Sequence, residues 1–486
     1  MNNNMDKKYN WNLQDIFENE EQFKKEKNEI TKILEKIKTY QGTLCKTSDN
    51  LYNCYKLYEQ ALEKFEKVYA YGMLKYDLDM SNQEGIKLYK EVENLETEFS
   101  VATSFITPEI TYADESEIKK YVSEERFKGY ARDINDILEK KKHVLSKEEE
   151  NVLANFSETI SAPENIFDIL TNTEFKFGTL IDENGKEVEM TDSTYTLYLK
   201  SKDQNVRIQA FNLMYKKYGE FINTITEMYI SNVKAKSTIA KLRKYNSSLE
   251  EEVDNDDVSL KVYESLIETV NENISTNYKF VSLKKKMLNL QEIHMYDLYV
   301  NPCEQGKDEI TFEEAKQEVL NALQILGKEY INKFIEYKDC TNKLEEAFNN
   351  NWIDVYAKPN KKSGAYNMGV YGVHPFVLTN FVNSKRDVST IAHELGHSMH
   401  SYYSNKEQNV INADYTIMVA EVASTVNEIL LSDYQIKTEK DNKKKAELLY
   451  ELLETIRNKL FTQAMFTEFE KIVHDKIENN VMLSSD

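Results

Sequence analysis

Residues 387–403 read DVSTIAHELGHSMHSYY. They place three of the chain's seven histidines, His393, His397 and His400, around a single glutamate, Glu394. Asp387 is of a type that caps helix N-termini, and Ile391, Leu395 and Met399 follow at four-residue steps, so the spacing predicts a helix with one apolar face. On such a helix His393 and His397 stand one turn and about 40° apart. Both imidazoles can then reach one ion. Glu394, at the edge of that face, can touch a water held there without itself ligating, which is the physical content of HExxH. A buried histidine pair bonded to its neighbours is the competing reading.

Catalytic zinc takes three protein ligands and keeps one position open, so a third ligand is expected on a neighbouring element. Downstream, YTIMVAEVASTVNEILL (415–431) is a breaker-free apolar stretch in which Glu421 is the only acid before Glu428. A lone carboxylate buried among Met418, Val419, Val422 and Val426 would be costly unless paired, and zinc would pair with it. Between the two stretches, NKEQNVINAD (405–414) supplies a turn that lets a second helix pack back on the first. An acid facing solvent, or bonded to a tyrosine, remains the alternative for Glu421.

The backbone is made special in the same region. Gly364, Gly369, Gly372 and Gly396 lie between 364 and 396, and neither Gly nor Pro occurs after Gly396. Between Glu346 and Glu407 the only glutamate is Glu394. A glycine inside a helix costs about 1 kcal/mol relative to alanine, so Gly396 points to close backbone approach beneath the site. GAYNMGVYGVHPFVLTNFV (364–382) reads as strand and forms the expected wall of the cleft, where an edge strand could bind an extended peptide by β-augmentation.

Elsewhere the 486 residues contain only five prolines and thirteen glycines, so long helices are expected. Stripes at helical spacing, Leu62, Phe65, Val68 and Tyr69, and Leu449, Leu452, Leu453, Ile456 and Leu460, read as core faces. TEFKFGTLIDENGKEVEMT (173–191) alternates around Asn184-Gly185 as a solvent-facing hairpin, and LEEEVDNDDVSL (249–260) reads as a solvated loop or helix start. The charge of −21 disfavours nucleic acid and membrane surfaces as partners. Cys45, Cys54, Cys303 and Cys340 form no CxxC pair and read as free thiols of a reducing compartment. With no signal-like N-terminus and no long apolar run, the expected location is cytoplasmic.

AHELGHSMHSYY followed by VAEVASTVNEILL closely resembles the M3 metallopeptidases, and within them the oligoendopeptidase F branch. YNWNLQDIF (9–17), the segment from Gly364 to the HExxH, and FTQAMFTEFEKIVHD (461–475) fit the same branch, so the resemblance runs from near Tyr9 to about Ile477. It implies a mainly α, two-lobed HExxH zincin with a small β-sheet beside the zinc helix and a deep substrate channel. We expect an N-terminal helical region over 1–190, carrying the hairpin near its end, and a catalytic domain over 191–486. The implied activity is a zinc-dependent endopeptidase hydrolysing oligopeptides, with one Zn2+ per chain held by His393, His397 and Glu421, and Glu394 as general base. The resemblance leaves His400 either supporting the metal site or purely structural. Glu428 either orients a ligating histidine or is a surface acid, and His374 either faces substrate or is structural. Family members continue past KIVHDKIENNVMLSSD into a segment whose His and Tyr side chains donate to the oxyanion. The resemblance therefore implies a chain truncated at its C-terminus. Two alternatives follow: a catalytically impaired metal- and peptide-binding scaffold, and a helical interaction protein in which HExxH is accidental.

Overall fold

The computed structural model describes residues 8–303, 309–327, 343–358 and 360–486. It is mainly helical with two small sheets. Two compact units divide the chain: residues 1–144 with 306–438, and residues 145–305 with 439–486. The boundary expected at 190/191 falls inside the second unit.

In the first unit, three helices follow one another: α1 (Glu20–Lys38), α2 (Ser48–Leu78) and α3 (Gln83–Thr103). Each begins at a side-chain cap, Asn19, Thr47 or Asn82, that accepts from backbone N–H groups of the first turn. Phe23, Ile30, Leu34 and Ile37 of α1 meet Leu51, Val68 and Leu74 of α2 and Leu88, Val92 and Leu95 of α3 in one core. The predicted stripe on α2 lies here, with Val68 fully buried and Leu62, Phe65 and Tyr69 packed around it.

The same core takes in Phe376 and Leu378 from a three-stranded sheet and Val370 from the connection within it. Its strands are β1 (Ile353–Tyr356), β2 (Tyr366–Met368) and β3 (Phe376–Phe381), in the order β1-β3-β2, with β1 parallel and β2 antiparallel to the central strand. Asn367 pairs with Val377 across β2 and β3. The indole N–H of Trp11 donates to the carbonyls of Trp352 (3.0 Å) and Val377 (2.8 Å), fastening the N-terminal segment to this sheet. His374 stacks on Trp352 with ring centroids 4.8 Å apart, and its Nε2 lies 3.0 Å from Asp15.

A second core of this unit joins the sheet to α4 (Phe312–Leu323), α5 (Lys385–Glu407) and α6 (Ile417–Thr438). Helix α5 starts earlier than expected: Ser384 is its cap, and Asp387 is the third helical residue of a reciprocal capping box, accepting from Ser384 N–H at 2.8 Å.

The second unit holds further helices, among them Lys147–Asp168, Gln204–Glu220, Ile222–Leu242, Asn442–Ile456 and Gln463–Glu478. Its hairpin pairs Thr179–Ile181 with Glu187–Glu189 around Gly185 at φ +77°, a left-handed turn position that glycine fills without steric cost. The hairpin is anchored rather than wholly solvent-facing, because Leu180 is buried in that unit's core. Residues 248–255 are helical, so the acidic patch is a helix. The stripe predicted over 449–460 is corrected: Leu449, Leu453, Ile456 and Leu460 are exposed, and the helix buries Glu447 and Tyr450 instead.

Cys45, Cys54 and Cys303 are in no disulfide among the described residues, and burial pushes the thiols of Cys45 and Cys54 up to about 12, leaving them inert. Cys340 lies outside the described residues. Among the described residues, no helix is long and apolar enough to cross a membrane.

Candidate metal centre

Helix α5 has two working faces. Val388, Ile391, Leu395 and Met399 are turned into the second core and are at most 1% exposed, which fixes the helix's rotation. His393, Glu394 and His397 are thereby presented to a cavity of about 790 Å³. The two histidine Nε2 atoms stand 3.2 Å apart, as the four-residue spacing predicts.

Helix α6 packs on α5 through a narrow, small-residue face: Ala420, Ser424, Asn427 and Leu431 are its buried positions. Gly396 allows this approach, since a Cβ there would stand 2.7 Å from the Ala423 carbonyl oxygen and from Ser424 Cα. Asn427 Nδ2 donates to the Ala392 carbonyl at 3.0 Å, locking the pair.

That packing delivers Glu421 to the histidines. Its Oε2 lies 3.8 Å from His393 Nε2 and its Oε1 3.7 Å from His397 Nε2. One ligand atom from each of the three residues lies within 4.8 Å of the others, close enough for the set to hold a single metal ion. Ser424 Oγ donates to Glu421 Oε2 at 2.8 Å and holds the carboxylate.

The burial argument for Glu421 needs correction. Its side chain is 47% exposed, and Met418, Val419, Val422 and Val426 are exposed as well. The reason is that α6 turns its small residues, not its large apolar ones, toward α5.

His393 Nδ1 donates to Glu428 Oε1 at 2.6 Å, so Nε2 carries the lone pair aimed at the ion position. The same bond holds the His393 imidazole above its ordinary proton affinity, whereas burial pulls His397 below it. Glu428 is thus bonded to His393, with its side chain largely buried, and is not a free surface acid. Burial raises the Glu394 carboxyl to about 7. His400 stacks on Tyr415 at 3.7 Å and packs beside the site rather than on it.

The cavity has contributors that sequence reading missed. Glu66, on α2, lines it and accepts from Tyr371 N–H at 3.0 Å, and burial pushes its carboxyl up to about 7. Nothing in its local sequence distinguishes it, since Glu63-Lys64 and Glu66-Lys67 are matching pairs on either side of Phe65. Asn367 on β2 also lines the cavity; its strand had been read as the cleft wall, but its side chain carried no signal.

A helical HExxH protein with an open two-histidine, one-carboxylate cluster is the class this geometry defines. The sequence profile of Peptidase family M3 matches residues 197–486, and a second, described as Oligopeptidase F, matches residues 109–177. The chain is 34% identical to Oligopeptidase PepF of Bacillus subtilis over 475 residues, covering 98% of this chain and 69% of that protein. It is 35% identical to an oligoendopeptidase F homolog of Borreliella burgdorferi over 468 residues, covering 96% and 77%. The fold is similar to the crystal structure of oligoendopeptidase-F from Enterococcus faecium, with a TM-score of 0.68, 28% identity and coverage of 96% and 77%. The chain belongs to peptidase family M3, a family of metallopeptidases.

Proposed function

We propose that the chain is a zinc-dependent endopeptidase of oligopeptides, with His393, His397 and Glu421 holding one zinc ion and Glu394 acting as general base. The observation that carries this reading is the convergence of His393, His397 and Glu421, whose ligand atoms, one from each, all lie within 4.8 Å of one another beside Glu394 in one cavity. When bound, zinc would polarise the scissile carbonyl and bring the pKa of a water beside it from 15.7 to about 7. Glu394 takes the proton of the attacking water and returns it to the leaving amine. Glu428 holds His393 in the ligating tautomer, and Ser424 holds Glu421.

Substrate binds as an added strand. Strand β2 is an edge of its sheet, and Tyr366 and Asn367 on it line the cavity. Pairing with that edge reads main chain more than side chains, which suits mixed short peptides. The cysteines among the described residues, in no disulfide with one another, fit the reducing, cytoplasmic setting expected from the sequence.

The test is a quenched peptide of mixed sequence together with metal analysis. Purified without chelator, the chain should carry about one zinc and cleave the peptide. Glu394→Gln should keep zinc and lose turnover, whereas His393→Ala should lose zinc. Near wild-type turnover in Glu394→Gln, or loss of its zinc, would overturn the assignment of the base. Zinc and peptide binding without turnover in the wild type would favour the peptide-binding scaffold.

A further inference from the structure

Strand β2 and helix α5 are joined by side chains that neither reach the ion position nor belong to an apolar core. Asn367, the middle residue of β2, accepts from Ser398 Oγ at 2.7 Å and donates through Nδ2 to Ser401 Oγ at 3.3 Å. Ser398 directly follows His397 and is fully buried; its hydroxyl also donates to the Glu394 carbonyl at 2.9 Å. Ser401 shares a second bond, 2.7 Å, with the hydroxyl of Tyr415. Just beyond the strand, a Cβ at Gly369 would stand 2.7 Å from Ser401 Cβ, so the chain and the helix touch there as well. Residues 398 and 401 share one face of the helix. The strand is thus pinned at two points to the helical turn that bears Glu394 and His397.

Apolar contact alone would leave the strand free to slide, because it is non-directional. A hydrogen bond to a buried hydroxyl is directional, and breaking it leaves Ser398 only its acceptor within α5, the Glu394 carbonyl. Asn367 is itself in the sheet, paired with Val377, so pinning its side chain fixes the height of the whole edge over α5.

We propose that Asn367 is a positioning residue for peptide hydrolysis: through Ser398 and Ser401 it sets the register between the strand edge that carries substrate and the helix turn that carries Glu394 and His397. This rests on the zinc endopeptidase reading above. A misplacement of about 1 Å between substrate and reacting groups can cost on the order of 100-fold in rate without loss of binding. Asn367→Ala should therefore lower kcat about tenfold or more, with KM changed less than about threefold and zinc content unchanged. Asn367→Asp, which keeps the acceptor for Ser398, should recover most of kcat. Asn367→Ala combined with Ser398→Ala should be little worse than Asn367→Ala alone, because the single substitution already removes the bond to Ser398.

A binding measurement separates this proposal from the reading beneath it. A phosphinic peptide must engage strand edge and metal together, whereas acetohydroxamate needs the metal alone. Asn367→Ala should weaken the phosphinic peptide about tenfold or more and leave the hydroxamate within about twofold. Equal kcat and equal phosphinic-peptide affinity in wild type and Asn367→Ala would overturn the positioning role, even if the variant melted at lower temperature. A wild type that neither cleaves peptide nor binds the phosphinic peptide through zinc would overturn the endopeptidase reading, and this proposal with it.

Discussion

Replacing Gly396 by alanine should separate the two helices of the metal centre. The new Cβ would meet the Ala423 carbonyl oxygen and Ser424 Cα at 2.7 Å and the Ala423 carbonyl carbon at 2.9 Å. All three are backbone atoms, so no side chain can turn aside. Ordinary contact begins near 3.4 Å, and reaching it requires α6 to withdraw by about 0.7 Å. In an unobstructed helix the substitution would stabilise by about 1 kcal/mol, but overpacking of this kind costs roughly 1–3 kcal/mol, so the net effect on folding is a modest loss. The larger effect falls on the site. Glu421 lies on the same turn of α6 as Ala423 and moves with it, away from imidazole nitrogens now 3.7 and 3.8 Å distant. Metal–ligand lengths tolerate about 0.2 Å, and zinc affinity should fall on the order of 10–100-fold. Competition with a chromophoric chelator measures the affinity, and urea unfolding of the zinc-free protein measures the packing cost. Wild-type zinc affinity with unchanged or higher stability would show that the helices have room to spare and refute the reasoning.

Glu66 gives a pH prediction. Burial raises its carboxyl from 4.5 to about 7, so the folded state holds this proton more tightly than the unfolded state, and ionising it costs stability as pH rises through that window. Glu66→Gln removes the cost: it should match wild type near pH 4 and exceed it by up to about 3 kcal/mol at pH 8 in denaturant titrations. A stability difference that is flat with pH would contradict this. Charge gives another. Beyond the metal centre, the cavity is lined by Asp414 and, once pH exceeds about 7, by the Glu66 carboxylate, with no Lys or Arg among its described lining residues. Basic versions of a test peptide should show higher kcat/KM than acidic ones. The ratio should shrink between 0.1 M and 1 M salt, as the screening length falls from about 10 to 3 Å. Equal values at low salt would exclude the effect.

Much of the centre was legible because its spacing is local. The four-residue interval of His393 and His397, and the glycine between them, state helix, shared face and close approach together. Glu421 was found for a partly mistaken reason: its isolation among apolar residues marked it, but those residues face outward, because small side chains permit the tightest helix packing. The exposed stripe from Leu449 to Leu460 misled in the same way, since periodicity reveals a face without saying what covers it. Glu66 and the Asn367 pin could not be read at all, because they act across separations of roughly 300 and 30 residues, and only the assembled sheet brings them to the site.

The order in which the first unit is assembled follows from its interrupted path. Its first core needs Val370, Phe376 and Leu378 beside helices that end before residue 144, and Trp11 waits for carbonyl partners at Trp352 and Val377. Between the two parts of that unit lie the 161 residues from 145 to 305. At about 5–20 residues per second, a ribosome takes about 8–32 s to cross them, during which the early helices present an unfinished apolar face. Nascent chains stalled near residue 300 should therefore be held by chaperones and cut readily within residues 1–144, and release of that hold should await synthesis of the sheet.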